Sequence, residues 1–159
     1  MSTTDRFRFD LGRLATRPPG AFALEREVRL QDVDAAGIAF FARLLEYSSD
    51  VFVSFCAVHD INLAEVLRQK RWGAPVRHVE AHYLRPLVFG DRVEVALVGA
   101  YLEETQATLG YRVARLADGT VTTLVQVLHV FVDAVTFVRR PVPDELRLAL
   151  WAWSDPDRE

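Results

Sequence analysis

The chain is short of cysteine, of uninterrupted apolar runs and of excess positive charge, and each shortage removes a class of protein. Its single cysteine, Cys56, excludes an intramolecular disulfide, and its setting among Phe52, Phe55 and Val58 predicts a buried thiol in a reducing, cytoplasmic compartment. A helix-interior thiol with no basic neighbour is read as packing rather than as a nucleophile. No stretch approaches the ~20 apolar residues of a membrane span. The opening "MSTTDRFRFDLGRLATRPPGAF" alternates charged and apolar residues where a signal peptide needs an apolar centre. Lys and Arg total 19 against 22 Asp and Glu, a net charge of −3, so there is no sign of the broad basic surface that nucleic acid or anionic membrane favours. Neither nucleic acid nor membrane is an expected partner. Internal repeats and low-complexity tracts are also missing.

What the chain does have is 159 residues, 50% of them hydrophobic, enough for one domain with a real core. Residues 1–21 end in the breakers Arg17-Pro18-Pro19-Gly20 and read as a flexible N-terminal extension; residues 22–150 form the domain, and 151–159 a C-terminal tail. "ALEREVRL" alternates well enough for a first strand. From Phe40 to Val58 the apolar residues recur with helical spacing in a stripe broad enough for a mostly buried helix. A short second helix follows, capped by Asp60 or Asn62 and stopped at Gly73. Four strands are expected at 76–84, 91–102, 107–117 and 120–133, the last two joined by a tight turn at Asp118-Gly119. Those last two runs are apolar on both faces, as strands inside a covered sheet would be. Asp144 caps a terminal helix reaching Trp151. The order predicts an α+β arrangement, an antiparallel sheet of about five strands wrapped around one long helix.

Chemistry concentrates in "QDVDAAGIAFFARLLEY", residues 31–47. Gly37 permits a sharp turn from strand into helix, and the first N–H groups of the helix lack intrahelical acceptors. Those donors, with the positive end of the helix dipole, suit a developing negative charge. A carboxylate just upstream supplies a base or nucleophile beside any carbonyl docked there, an outline for acyl transfer. Aspartates before helices are also common caps, so spacing alone leaves catalysis and capping both open.

The segment "VRLQDVDAAGIAFFARLLE" resembles the signature of the hotdog-fold acyl-CoA thioesterases of the 4-hydroxybenzoyl-CoA thioesterase family: Asp-x-Asp-x-x-Gly, two hydrophobic residues, then two aromatics. "APVRHVEAHYLRPLVFGDRVEV" resembles that family's second and third strands, and the likeness extends over residues 22–148. "DAAGIAFFARLLEY", "HDINLAEVL" and "HYLRPLVFGD" are most similar to the 1,4-dihydroxy-2-naphthoyl-CoA thioesterase branch. By this resemblance the fold is hotdog and the reaction is hydrolysis of an acyl-CoA, with an aromatic acyl group favoured and no cofactor. Asp34 is implied as the catalytic carboxylate and the backbone N–H of Phe41 as the oxyanion donor, with Asp32 holding the loop. A hydratase of the same fold needs a histidine at the loop, and "DVDAAGIAFF" has none. A non-catalytic acyl or CoA binder is the alternative from another class, as are thioesterases for short-chain or other acyl thioesters within the first.

Hotdog sites form between subunits, so the resemblance implies a homodimer or homotetramer, with His78 or Glu80 near the neighbouring site. His78, Glu80 and His82 alternate along one strand face, but no fourth ligand is indicated and no metal is expected. Phe40, Tyr47 and Trp72 are candidates for an aromatic pocket, with core packing as the alternative. His129 is read as a hydrogen-bonded core histidine and His59 as a helix-end residue. Arg77, Arg85, Arg139 and Arg140 are candidates for CoA phosphates, unless Arg85 pairs with Asp91.

Overall fold

Alternating and doubly apolar runs pair here into one antiparallel sheet. The computed structural model describes residues 9–154, so the termini at 1–8 and 155–159, parts of the expected extension and tail, lie outside the described residues. The strands are β1 (Ala23–Glu27), β2 (Val76–Tyr83), β3 (Arg92–Leu102), β4 (Gln106–Arg115) and β5 (Val121–Val130), ordered β1-β3-β4-β5-β2. The helices are α1 (Leu11–Ala15), α2 (Phe41–Val58), α3 (Leu63–Arg68) and α4 (Asp144–Leu150). The expected α+β architecture is present, with β1 and β2 at the two edges.

Helix α2 lies across the inner face of the sheet. Leu44, Tyr47, Val51, Phe55 and Cys56 point from it into a core shared with Val93, Val95, Leu97, Leu109, Tyr111, Val113 and Val125. Each of its large apolar side chains adds about 1.5–3 kcal/mol of burial. The buried stripe is narrower than the sequence suggests, because Phe41, Val53 and Val58 are exposed. Cys56 is sealed in this core, and burial pushes its thiol up to about 12, which leaves no thiolate for catalysis near neutral pH.

The outer face departs from expectation. The segment from Phe9 onward does not hang free; Asp10 caps α1 through the Arg13 N–H, and Phe9, Leu14 and Ala21 are buried against Ala96, Val98, Tyr101 and Leu124. Gln126 holds the Phe9 backbone, its Oε1 accepting from the N–H at 2.9 Å and its Nε2 donating to the carbonyl at 3.4 Å. Apolar outer-face positions of β3–β5 need a cover, and this segment provides it.

Smaller corrections concern turns. The connection from β4 to β5 is longer than a two-residue hairpin, since the Gly119 N–H reaches the Arg115 carbonyl at 2.8 Å and only Gly119, at φ 70°, is left-handed there. Helix α3 takes Asn62 rather than Asp60 as its cap and ends well before Gly73, with Lys70 at φ 52° reversing the chain. In α4 the cap position is Pro143, so Asp144 opens the first turn instead of capping it.

Candidate active site

The segment between β1 and α2 folds as two successive turns that send neighbouring aspartates in opposite directions. Residues Leu30–Asp32 make a single 3-10 turn, and the carboxylate of Asp32 turns inward to full burial. There it accepts from the Arg29 N–H at 2.9 Å and the Tyr47 hydroxyl at 2.9 Å, with the Arg29 and Arg43 guanidinium groups at 3.2 and 3.7 Å. Burial alone would push this carboxyl up, but the hydrogen bonds from Arg29 and Tyr47 outweigh it and hold Asp32 below the usual carboxylate range. The Asp32 carbonyl in turn accepts from the Phe40 N–H at 2.8 Å, fastening the loop to the start of α2. Asp32 is therefore the structural member of the pair. Tyr47, given to this bond, is a core residue rather than a pocket residue.

Asp34 faces the other way. Val33 and Ala39 bridge across a small hairpin in which Asp34 N–H donates to the Ile38 carbonyl at 2.9 Å and Gly37 N–H to the Asp34 carbonyl at 3.0 Å. Gly37 sits at φ 77°, a conformation that costs a side-chain-bearing residue about 1 kcal/mol or more. The Asp34 Oδ1 accepts from the Ala36 N–H at 2.8 Å, an Asx turn that fixes the carboxylate, while Oδ2 has no hydrogen-bond partner among the described residues. The hairpin is held from outside by the Ala39 N–H to the Leu87 carbonyl at 2.8 Å and by the bridge between Ile38 and Val88.

The exposed Asp34 opens onto a cleft of about 370 Å³ at the N-terminal end of α2. Ile38, Phe40 and Phe41 form one wall, Tyr83, Leu84, Arg85 and Pro86 the other, and Leu44, Leu87 and Thr123 lie deepest. Phe41 is the first residue of the helix, where its N–H has no carbonyl four residues back within the helix to receive it. The residue is 57% exposed, and its ring meets the Tyr83 ring edge-on with centroids 6.5 Å apart. The Tyr83 hydroxyl donates to the Phe41 carbonyl at 3.0 Å, tying β2 to the first turn of α2. A carboxylate, a helix start and a mostly apolar aromatic trough thus share one site.

Of the residues singled out from sequence, Asp34, Phe40, Phe41 and Arg85 meet at this cleft, with Gly37 shaping its lip. Arg85 does not pair with Asp91, whose carboxylate takes the Val88 N–H at 2.9 Å and Arg115 at 3.4 Å. Trp72 is buried against Phe131 and leaves the pocket list. His78, Glu80 and His82 pair with Leu128, Gln126 and Leu124 on the outer face, away from the cleft of their own chain. Glu80 binds His82 at 2.6 Å and Gln126 at 3.2 Å there. His129 donates from Nδ1 to the Ala74 carbonyl at 3.0 Å and stacks on Phe52, and burial lowers its pKa. His59 sits at the C-terminal cap of α2. Arg140 hydrogen-bonds the Arg71 carbonyl at 2.7 Å, and it, Arg77 and Arg139 stand outside the cleft. Sequence reasoning missed Tyr83, Leu84, Leu87 and Thr123, which reach the cleft through strand register and the loop after β2.

Residues 28–150 match the family described as Thioesterase-like superfamily. A 1,4-dihydroxy-2-naphthoyl-CoA hydrolase from Rippkaea orientalis is 30% identical over 122 residues, 76% of this chain and 88% of that protein. A hydrolase of the same name from Nostoc punctiforme is 28% identical over 126 residues, covering 79% and 84%. Among solved structures, a 1,4-dihydroxy-2-naphthoyl-CoA thioesterase from Synechocystis superposes with a TM-score of 0.78 at 22% identity, covering 83% of this chain and 96% of that one. A gentisyl-coenzyme A thioesterase superposes at 0.71 with 21% identity, covering 79% and 98%. The sheet order, the central helix and the extent of the match together place the chain in one group: it belongs to the thioesterase-like superfamily and has the hotdog fold.

Proposed function

We propose that the protein hydrolyses an aromatic acyl-CoA thioester to the free acid and CoA, with 1,4-dihydroxy-2-naphthoyl-CoA as the leading substrate. The observation that carries this reading is the meeting of the open Asp34 oxygen, the Phe41 helix start and an aromatic-walled cleft at one place. The hydrolase relatives of that name support the choice of acyl group. The thioester carbonyl docks with its oxygen toward the Phe41 N–H, which stabilises the oxyanion as carbonyl character is lost. Asp34 takes a proton from water, whose oxygen adds to the carbonyl carbon. The tetrahedral adduct then collapses with cleavage of the C–S bond, and the CoA thiolate leaves and is protonated. Direct attack by Asp34, through a mixed anhydride that water later opens, uses the same groups. Either route uses only water and a carboxylate, so the reaction needs neither metal nor cofactor. Arg85, on the cleft wall, is the candidate for the phosphates of CoA.

The assembly proposed with this function is a homodimer, or a pair of them, formed through β2. That strand ends the sheet on one side, and its Val76, Val79 and Tyr83 are exposed apolar residues on an unpaired edge. Contact of His78 or Glu80 with a neighbouring cleft belongs to that assembly. A single buried thiol supports a cytoplasmic location, and no helix of the described residues is long and apolar enough to cross a membrane.

The test is thiol release from aromatic, short-chain and long-chain acyl-CoA substrates, with the wild type and Asp34→Ala compared. Turnover of the aromatic class that Asp34→Ala loses supports the reading. Turnover of another class moves the substrate, and CoA binding without any thiol release turns the protein into an acyl or CoA binder.

A further inference from the structure

The deep end of the cleft carries one polar side chain. Leu44 and Leu87 there are 2% and 3% exposed, and Thr123, at 2%, lies beside them. Strand register sets it in that position: Val113 of β4, Thr123 of β5 and Tyr83 of β2 form one row across the inner face. The adjacent Thr122 points to the other face and spends its hydroxyl on the Val113 carbonyl at 3.3 Å. The Thr123 hydroxyl makes no hydrogen bond among the described residues. Yet it is not sealed off, because Arg26 Nε is the sole fully enclosed side-chain polar atom among those residues without a partner. What remains accessible of Thr123 therefore includes its oxygen, and the cleft it lines is where that oxygen opens.

A valine would fill the same volume without a polar atom to satisfy, so packing gives no reason for a hydroxyl at this depth. A hydroxyl both donates and accepts, and its natural complement is another hydroxyl. With the thioester carbonyl at the helix start, an aromatic acyl ring directed into the cleft would pass beside the edge-on pair of Phe41 and Tyr83, and a substituent on its far side would face the deep wall. We propose that Thr123 is a specificity-determining residue that hydrogen-bonds a hydroxyl on the ring of the acyl group, so that the cleft prefers ring-hydroxylated aroyl thioesters to unsubstituted ones. This rests on the aroyl-CoA reading above. A site that hydrogen-bonds a substrate hydroxyl discriminates against the analogue lacking it, because the buried group is then left unpaired.

The experiment compares 1,4-dihydroxy-2-naphthoyl-CoA with 2-naphthoyl-CoA in the wild type, Thr123→Val and Thr123→Ser. The ratio of kcat/KM for the hydroxylated over the plain substrate falls about five- to tenfold in Thr123→Val, the scale of one hydrogen bond, and returns toward the wild-type ratio in Thr123→Ser. A ratio that Thr123→Val leaves unchanged overturns the proposal, even if both rates drop together. In parallel, equilibrium binding of the free acids, 1,4-dihydroxy-2-naphthoate and 2-naphthoate, to the same three proteins gives the same ratio without catalysis. If no thioester is turned over, the hydrolase reading fails alone, and the acid-binding ratio still decides the role of Thr123.

Discussion

The two faces of the sheet are covered by unlike means. The inner face meets an 18-residue amphipathic helix whose buried residues recur with helical period. The outer face meets a five-residue helix and its flanks, seated over two glycines. A Cβ at Gly99 would stand 3.0 Å from the Phe9 ring, and one at Gly110 would stand 2.7 Å from Leu14 Cδ2. The inner cover makes the cleft and carries the proposed chemistry at its N-terminal end, whereas the outer cover closes the second half of the core. One face can thus lose function with the fold intact, and the other can lose stability with the chemistry intact.

The largest expected effect breaks the inner face alone. Asp34→Asn keeps size and the Asx turn but removes the proposed base, so kcat should fall about 1000-fold, within the usual range for a lost acid-base group. Because Asp34 is exposed, the melting free energy stays within about 0.5 kcal/mol of wild type. Steady-state thiol release and a thermal melt on the same preparation check both halves, and equal losses in stability and rate would argue against a catalytic Asp34. The opposite break is Leu14→Ala. Leu14 is fully buried on the outer face, so its truncation costs about 3 kcal/mol, while kcat per folded molecule holds. Urea unfolding measures it, and a cost near zero would mean that the segment adds little to the folded core.

Smaller, and pH-dependent, is the effect of Asp32, which belongs to the inner side but acts on stability. Its carboxyl is held below its unfolded value, so its contribution is complete above the unfolded pKa near ~3.9 and is lost as pH falls through the folded value. Asp32→Asn should therefore cost about 2 kcal/mol at pH 7, with the difference from wild type shrinking as unfolding is measured at progressively lower pH below ~4. A difference that stays constant with pH would remove the carboxylate from the account.

The comparison also explains what could be read in advance. Asp34, Gly37, Phe40 and Phe41 are local: one turn and one helix start bring them together, so the motif predicted their meeting. Helix α2 announced itself by period. Thr123 and Tyr83 stand forty residues apart in sequence and become neighbours only through the pairing of β5 with β2, which composition does not encode. The Phe9–Ala21 segment was misread because its helix is only five residues long and is followed by Pro18, Pro19 and Gly20, which look like a loose tail. The counter-signal lay elsewhere, in runs of β4 and β5 apolar on both faces, which a single helix on one side leaves half uncovered. The Asp118-Gly119 turn shows the same limit on a smaller scale, since the dipeptide marks a reversal but not how many residues the loop takes.

The finest test asks whether the glycines are seats for the segment or merely weak points in the strands. Gly110→Ala puts a Cβ against Leu14, whose complete burial leaves it little room to swing aside, so overpacking costs about 1 kcal/mol in the wild type. Truncating Leu14 removes the nearest atom that the new Cβ meets, at 2.7 Å, and leaves the Phe9 ring at 3.3 Å, a contact that a small shift of the ring relieves. In the Leu14→Ala background Gly110→Ala should then be neutral or slightly stabilising, since alanine suits a strand interior better than glycine and fills part of the gap. A double-mutant cycle by urea unfolding reads a coupling of about 1 kcal/mol if the glycine is a seat. Simple additivity would mean that Gly110 serves the strand and that the outer cover rests on its surface without a fitted contact there.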